Sequence, residues 1–215
     1  MIKQEVRSLI RNLLPRIDKV GRWHDIVISA AVEKAISQMY EEVWRINPLN
    51  LQRYTVGFGY VTPVTVNTEV NTNIKYSTLP ESIIPFQDKA SGVRRISTVA
   101  QGSFTFFPMD FREMDLIPSG GYFKTVNSKV GYAVNQTRVE FYNLSAAIEV
   151  VGVRMDLIIP FSKYDDDDEV KIPEIGDMRT GETFVDRVMK ILGIIQPVDI
   201  IDDNAPQKSV GQKDN

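Results

Sequence analysis

Apolar residues recur at helical spacing over two stretches near the start of the chain. Pro15 lacks a backbone N–H and ends or kinks the first helix. The second helix is predicted to run from an N-cap at Asp25 to about Ile46, because Asn47 precedes Pro48 and is pushed out of the helical region. The two apolar stripes comprise Ile2, Val6, Leu9, Ile10, Leu13 and Ile17, and then Ile28, Val32, Ala35, Met39, Val43 and Ile46. The chain is therefore predicted to open with a helical hairpin.

The beginning of the second helix is apolar or small on every side, since residues 26–32 read IVISAAV. A helix that is apolar all round must be buried on more than one face. Two interpretations stay open: the rest of the chain surrounds this helix, or another subunit closes one of its faces. The second interpretation makes Ile26, Val27, Ala30 and Ala31 candidate subunit-interface residues.

The middle of the chain has the pattern of antiparallel β-structure. Residues 54–70 alternate with period two, which is typical of a half-buried strand, and Pro63 splits this run or marks a sheet edge. The same pattern predicts further strands at about 92–99, 103–107, 121–126, 130–135 and 138–142, and a long strand at 147–159 that Pro160 ends. Residues 127–129 are expected to form a hairpin loop.

The rear of the chain begins with an acidic run, residues 165–169, followed by Pro173 and an amphipathic helix at about 181–192. Gly193 is a natural residue for the position after that helix. The apolar face of the helix is predicted to comprise Phe184, Val188, Ile191 and Leu192. Residues 202–215 are polar and are expected to form a flexible tail.

These elements predict an α+β fold, in which the N-terminal helical hairpin and the C-terminal helix pack with an antiparallel β-sheet or sandwich. Four regions follow from the pattern. Residues 1–50 form the helical hairpin, and residues 51–162 form the antiparallel β region. Residues 163–195 supply the acidic loop and a C-terminal helix that packs on the N-terminal helices, and residues 196–215 form a flexible acidic tail.

Charge is distributed unevenly along the 215 residues, whose net charge is −3. Residues 1–53 hold 9 basic and 6 acidic side chains, residues 54–159 hold 9 of each, and residues 160–215 hold 7 basic and 13 acidic. A basic front and an acidic rear favour pairing within the chain or head-to-tail pairing between copies. A pI of about 5.3 argues against a general affinity for nucleic acid, which needs a concentrated positive surface.

Lys3, Arg7 and Arg11 stand four residues apart and are expected to form one basic ridge, opposite the apolar stripe of the first helix. The acidic run is its candidate partner, on the same chain or on an adjacent subunit. The run comprises Asp165, Asp166, Asp167, Asp168 and Glu169. It lacks the glycine and the distant glutamate of a calcium-binding hand. A solvated loop, a subunit contact and a loosely held divalent cation remain open for it.

Residues for catalysis are scarce. The chain has no cysteine and one histidine, His24, so a zinc site would need carboxylates as its other ligands. No G-x-S-x-G supports a serine triad. Gly57-Phe58-Gly59 lacks the third glycine of a dinucleotide fingerprint and lies in a predicted strand. The sequence therefore predicts no catalytic, cofactor-binding or metal site, and no apolar run reaches the ~20 residues of a membrane helix.

The order of these parts resembles the neck proteins of tailed bacteriophages, which are adaptor or ring proteins between portal and tail, especially in crAss-like phages. The resemblance lies in the N-terminal helices, the β region with Pro80, the segment 107–112, the strand end at 156–160, the acidic loop, the step at 170–173 and the last helix. No single motif carries it.

This resemblance implies a non-enzymatic virion protein that is made in the host cytoplasm and lies at the head–tail junction. It implies a closed, twelvefold homo-oligomeric ring that contacts the portal and other neck or tail proteins. Genomic DNA would pass through the lumen without sequence-specific binding, and no membrane is involved.

A different class of function is kept as the alternative: a ligand-binding or carbohydrate-binding β module of a tail or surface protein. Its stacking platform would be drawn from Tyr54, Phe58, Tyr60 and Trp44. Alternating aromatic residues at 54–60 also fit the core face of a sheet, which counts against this alternative.

Overall fold

The computed structural model describes residues 1–14, 24–99, 105–110, 112–113, 129–173 and 183–194. It has an α+β fold, as the sequence predicts. The helices are α1 (Lys3–Leu13), α2 (Asp25–Ile46), α3 (Ala146–Val151) and α4 (Phe184–Ile191), with 3₁₀ turns at Pro48–Tyr54 and Phe161–Lys163. The strands are β1 (Val56–Phe58), β2 (Asn67–Thr68), β3 (Lys75–Thr78), β4 (Val93–Thr98), β5 (Phe107–Pro108), β6 (Gly131–Asn135), β7 (Arg138–Tyr142) and β8 (Val153–Leu157).

Both N-terminal helices form where the apolar spacing predicts them, with two corrections. His24, and not Asp25, is the N-cap of α2, because the backbone of His24 is extended and the helical conformation begins at Asp25. The buried face of α1 includes Lys3 together with Val6 and Ile10. The basic ridge therefore does not lie opposite the apolar stripe, as predicted, but begins inside the buried face.

A three-stranded antiparallel sheet has the order β1-β8-β4. The run at 54–70 is split into β1 and β2, which is one of the two outcomes predicted from Pro63, and Gly59, with a φ of 81°, bends the chain between them. The long strand predicted at 147–159 is wrong, because α3 occupies its first part and Gly152, with a φ of 87°, separates α3 from β8.

A five-stranded sheet has the order β2-β3-β7-β6-β5, antiparallel except for the β5–β6 pair. The strands predicted at 130–135 and 138–142 are confirmed as β6 and β7. A two-residue turn at Gln136 and Thr137 joins them, and Gln136 has a positive φ of 50°. The strand predicted at 121–126, two residues of the predicted hairpin loop, and the predicted tail all lie outside the described residues.

One hydrophobic core joins the helices to both sheets. The 3₁₀ turn at Phe161–Lys163 packs against α2, and α4 packs on α2 as predicted. Arg187 of α4 is buried and donates two hydrogen bonds to the carboxylate of Glu42, at 2.7 and 2.8 Å. Thr183 caps α4 in a reciprocal bond with Asp186, and Gly193 follows the helix with a φ of 74°. The helices and the two sheets therefore share one core.

Candidate assembly interface

The acidic run is fastened to the start of α1 by backbone hydrogen bonds. The Lys3 N–H donates to the Asp168 carbonyl at 3.0 Å, and the Gln4 N–H donates to the Asp166 carbonyl at 3.2 Å. The Val170 N–H donates to the Met1 carbonyl at 2.9 Å. We call the region formed by residues 1–11 and 161–170 the N-terminal clasp. It brings the basic front and the acidic rear together within one chain.

Lys3 lies deep in this clasp, and its residue is only 5% exposed. Its ammonium group donates to the carbonyl oxygens of Ser162, at 3.3 Å, and of Tyr164, and it lies 5.7 Å from the centre of the Phe161 ring. Lysine is rarely buried unless its charge has partners. These contacts supply them, so Lys3 holds the 3₁₀ turn and the acidic run against α1.

The other two residues of the basic ridge are paired as well. Arg7 binds the Asp166 carboxylate at 2.9 Å and lies over the Phe161 ring, while Arg11 binds Asp25. In the acidic run, the Asp165 N–H donates to the Asp168 carboxylate at 2.9 Å. Of the two arrangements that the charge pattern left open, the structure shows these pairs inside the chain.

Glu169 closes the rim of the clasp. Lys171 lies 2.8 Å from its carboxylate, and the N-terminal ammonium of Met1 lies 3.9 Å away. The hydrogen bond and the positive charge of Lys171, followed by the charge of the N-terminus, hold the pKa of Glu169 below its ordinary value. Within the described part of the chain, no group of three or more histidine and carboxylate side chains is arranged to hold a metal ion.

The start of α2 divides the four apolar interface candidates. The Ile26 residue is 82% exposed, and Val27 and Ala30 are exposed as well. Ala31 is buried in the core of its own chain. His24, the N-cap, is exposed beside this surface. We call Ile26, Val27 and Ala30 the α2 surface, because they leave an apolar patch at the helix start without cover from the described residues of the chain.

A second exposed apolar area lies on the segment that follows β1 and on α3. Val61, Val70 and Val150 are 98%, 92% and 87% exposed, and Val151 is about half exposed. We call these four residues the valine surface. The alternation at 54–70 and the predicted strand at 147–159 had placed them in sheets, so sequence reasoning missed their exposure. The signals that break both strands are Gly59, Pro63 and Gly152.

The two segments of the valine surface are held side by side. Val64 and Val153 exchange both backbone hydrogen bonds, at 2.9 and 3.0 Å. The Thr68 hydroxyl donates to the Glu149 carboxylate, which Lys75 also binds. These bonds hold the pKa of Glu149 below its ordinary value, with the Lys75 hydrogen bond as the largest cause.

The valine surface and the α2 surface lie on different elements. β8 begins at Val153, beside the valine surface, and the chain then runs on to Phe161 in the N-terminal clasp. The Ser162 N–H donates to the Glu33 carboxylate at 3.2 Å. The segment that follows β8 therefore contacts α2 about two turns after the start of that helix. One subunit therefore carries two chemically similar surfaces on separate parts of its fold.

The aromatic residues of the alternative function are spread over separate contacts. Trp44 stacks on Phe86, with ring centres 6.5 Å apart, and donates to Asp88 at 3.2 Å. Tyr54 packs on Tyr40 of α2.

The remaining two candidates, Phe58 and Tyr60, lie at the end of β1. Phe58 is partly buried against the core, whereas the Tyr60 ring is half exposed. The Tyr60 hydroxyl donates to Asp156 at 2.9 Å, and the Arg154 guanidinium lies 5.1 Å from the ring centre. Tyr60 is therefore the aromatic candidate with the most ring surface open, and its hydroxyl is already engaged.

No family model, curated protein or solved structure matches this chain. Among the helices that the structure describes, none is long and apolar enough to cross a membrane.

Proposed function

We propose that the chain is a non-enzymatic virion structural protein that forms a ring in the head–tail connector, between portal and tail and around the DNA channel. The observation that carries this proposal is the pair of exposed apolar surfaces, the α2 surface and the valine surface, on different elements of one subunit. A single ligand-binding module needs one concave site, whereas these exposed apolar residues lie on different elements of the described chain.

Two different surfaces are what a cyclic assembly requires. In a head-to-tail contact, one patch of each subunit meets a different patch of the next, and the series closes when the rotation divides a full turn. A twofold dimer would instead use one patch twice. Contacts of this kind place apolar residues at the centre of the interface and leave charged residues at its rim. Ile26 and Val150 are the proposed centres of the two contacting patches.

Charge supports the same arrangement. The basic ridge and the acidic run are paired inside the clasp, so the proposed subunit contact rests on the two apolar surfaces. The net charge of −3 gives the subunit no general attraction for DNA, which suits a channel that DNA must slide through. Portal and tail proteins are the proposed partners above and below the ring.

A complementation experiment tests the head-to-tail contact. Ile26→Glu alters only the α2 surface, and Val150→Glu alters only the valine surface. Each variant alone is expected to be a folded monomer in light scattering. Its unaltered surface has no intact complementary surface to bind, because every copy carries the same substitution. An equal mixture is expected to form a one-to-one dimer that cannot close. Ile46→Glu is the matched control, since Ile46 is an exposed isoleucine at the other end of α2.

Negative-stain images of the unmodified chain, alone and on assembled particles, are expected to show rings. A strict monomer at high concentration, together with no ring on the particle, would contradict the proposal. A monomer that is retained by immobilised glycans would favour the carbohydrate-binding module instead. A gene position beside a portal or terminase would support the connector independently of any solution experiment.

A further inference from the structure

The last four residues of α3, residues 148–151, favour a strand, although they lie in a helix. The segment reads AAIEVV, has six residues, none of them buried, and immediately precedes β8. Val150, Val151 and Ile148 are β-branched, which lowers helix propensity and raises strand propensity. A helix this short is also marginal without tertiary packing. Local preference and observed conformation therefore disagree in this segment.

The register of β8 provides a strand position for this segment. Val64 and Val153 form an antiparallel pair that exchanges both backbone bonds. If the same register continues, Val66 faces Val151 and Thr68 faces Glu149. Thr68 and Glu149 already share a side-chain hydrogen bond while the segment is helical. To form this strand, residues 146–151 would change their backbone conformation, while the contact between Thr68 and Glu149 could remain.

The backbone of β2 points the right way to receive the segment. The Glu69 N–H donates to the Ile74 carbonyl at 2.9 Å, so the odd-numbered residues of this stretch face β3. In an antiparallel strand, alternate residues direct their N–H and C=O groups to opposite sides. Val66 and Thr68 therefore direct theirs away from β3, and β2 stands at the end of the five-stranded sheet.

Side-chain burial agrees with this register. Val153, Met155 and Leu157 of β8 are buried, and the residues between them are partly exposed. Val151, two residues earlier, would fall on the same buried face, and its cross-strand neighbour Val66 is already buried. Extension would thus cover Val151, which is about half exposed in the helix.

Gly152 is the joint between the two conformations. Its φ of 87° is one that other residues rarely adopt, and an added Cβ would lie 2.6 Å from the Val64 carbonyl oxygen. Glycine is equally able to take the extended backbone that a continuous strand needs. The position therefore permits the helix without excluding the strand.

We infer that residues 146–151 have a second conformation, in which they extend β8 backwards and pair with residues 64–68. This strand joins the three-stranded and five-stranded sheets into one. It also withdraws Val151 from the valine surface, so the switch changes the patch that the proposed function assigns to subunit contact. The inference itself concerns a single chain and does not depend on ring formation.

A cysteine trap tests this conformation, because the natural chain has no cysteine. Directly opposed antiparallel residues have Cα atoms about 4.5–5.5 Å apart, within reach of a disulfide. The V66C/V151C variant is expected to form an intramolecular disulfide under mild oxidation. N135C/R138C is the positive control, since these residues are opposed in the β6–β7 hairpin.

Substitutions at Val150 separate the two conformations. V150T keeps a β-branched side chain, whereas V150M keeps apolar surface and favours a helix. Crosslinking of the V66C/V151C chain is expected to be faster with V150T than with V150M, on the order of fivefold. Equal rates would overturn the inference, as would no V66C/V151C disulfide under conditions where the control pair reacts fully. Covalent dimers in place of the intramolecular disulfide would overturn it too.

A second measurement needs no change in the core. In the proposed register, Asn67 and Val150 form a non-hydrogen-bonded pair, whose Hα atoms lie close together. The V150T/V151T chain is expected to show a nuclear Overhauser contact between these two Hα atoms. Helical contacts from Ala146 to Val150 in that variant, with no contact to Asn67, would overturn the inference even if the trapped variant fails to fold.

Discussion

The N-terminal clasp and the valine surface use their sequences in opposite ways. In the clasp, charged residues that sequence patterns place on the surface are drawn inward and paired, as Lys3 and Arg7 are over Phe161. On the valine surface, residues that sequence patterns place in a sheet are left open to solvent, as Val61 and Val150 are. The charged residues of the clasp therefore stabilise one subunit through contacts within the chain. The valine surface leaves apolar side chains exposed, where a neighbouring subunit can contact them.

The strongest test of this contrast replaces one large side chain in each region. Phe161 is 1% exposed and lies under the cations of Lys3 and Arg7, so Phe161→Ala is expected to lower the free energy of unfolding by about 3–5 kcal/mol. Val150→Ala removes exposed surface and is expected to change it by no more than about 0.5 kcal/mol. Urea denaturation of both variants measures the difference. Similar losses in the two variants would break the comparison.

A second test asks whether the buried ammonium of Lys3 matters beyond its hydrocarbon chain. Lys3→Met keeps most of the volume but leaves the carbonyls of Ser162 and Tyr164 without this donor. The expected loss is about 1–3 kcal/mol in the free energy of unfolding. Lys163→Met is the matched control, because Lys163 forms an exposed pair with Glu81 at 3.3 Å and should cost at most about 1 kcal/mol. Equal losses of unfolding free energy in the two variants would mean that burial of the Lys3 ammonium does not strengthen its contacts.

Sequence patterns predict an element correctly where its local sequence is enough to determine its conformation. The spacing of apolar residues predicts α1 and α2, and the same spacing together with Gly193 predicts α4. The period-two runs at 130–135 and 138–142 predict β6 and β7, and the turn at Gln136–Thr137 joins them.

Patterns fail where a distant contact decides the structure. Val64 meets Val153 across 89 positions of sequence, and this pairing helps to hold the bends that expose Val61 and Val150. Burial of Lys3 depends on carbonyls about 160 residues away. The exposure of the interface candidates was therefore predicted in part: Ile26 and Val27 are exposed, whereas Ala31 and Lys3 are buried in their own chain, and the interface itself stays a prediction.

A smaller effect is expected from the ion pair at the rim of the clasp. Arg7 and Asp166 lie 2.9 Å apart, but the Asp166 side chain is largely exposed. A double-mutant cycle with Arg7→Gln and Asp166→Asn is expected to give a coupling energy of about 0–1 kcal/mol, falling as salt is added. The opposite result, coupling of several kcal/mol that salt does not change, would show that the pair is a structural support of the subunit.

The smallest and most local effect concerns Glu169 in the clasp and Glu149 beside the valine surface. The folded chain lowers the pKa of both carboxyl groups, so each stabilises the fold at a pH above its ordinary pKa. That contribution is lost as the pH falls through the lowered pKa. Lys171→Met is expected to raise the pKa of Glu169 alone, and Lys75→Met that of Glu149 alone. Carboxyl ¹³C shifts recorded during an acid titration measure both values in one sample. A change in both pKa values in either variant would show that the N-terminal clasp and the valine surface are electrostatically coupled. That result would contradict the view that the two regions act independently.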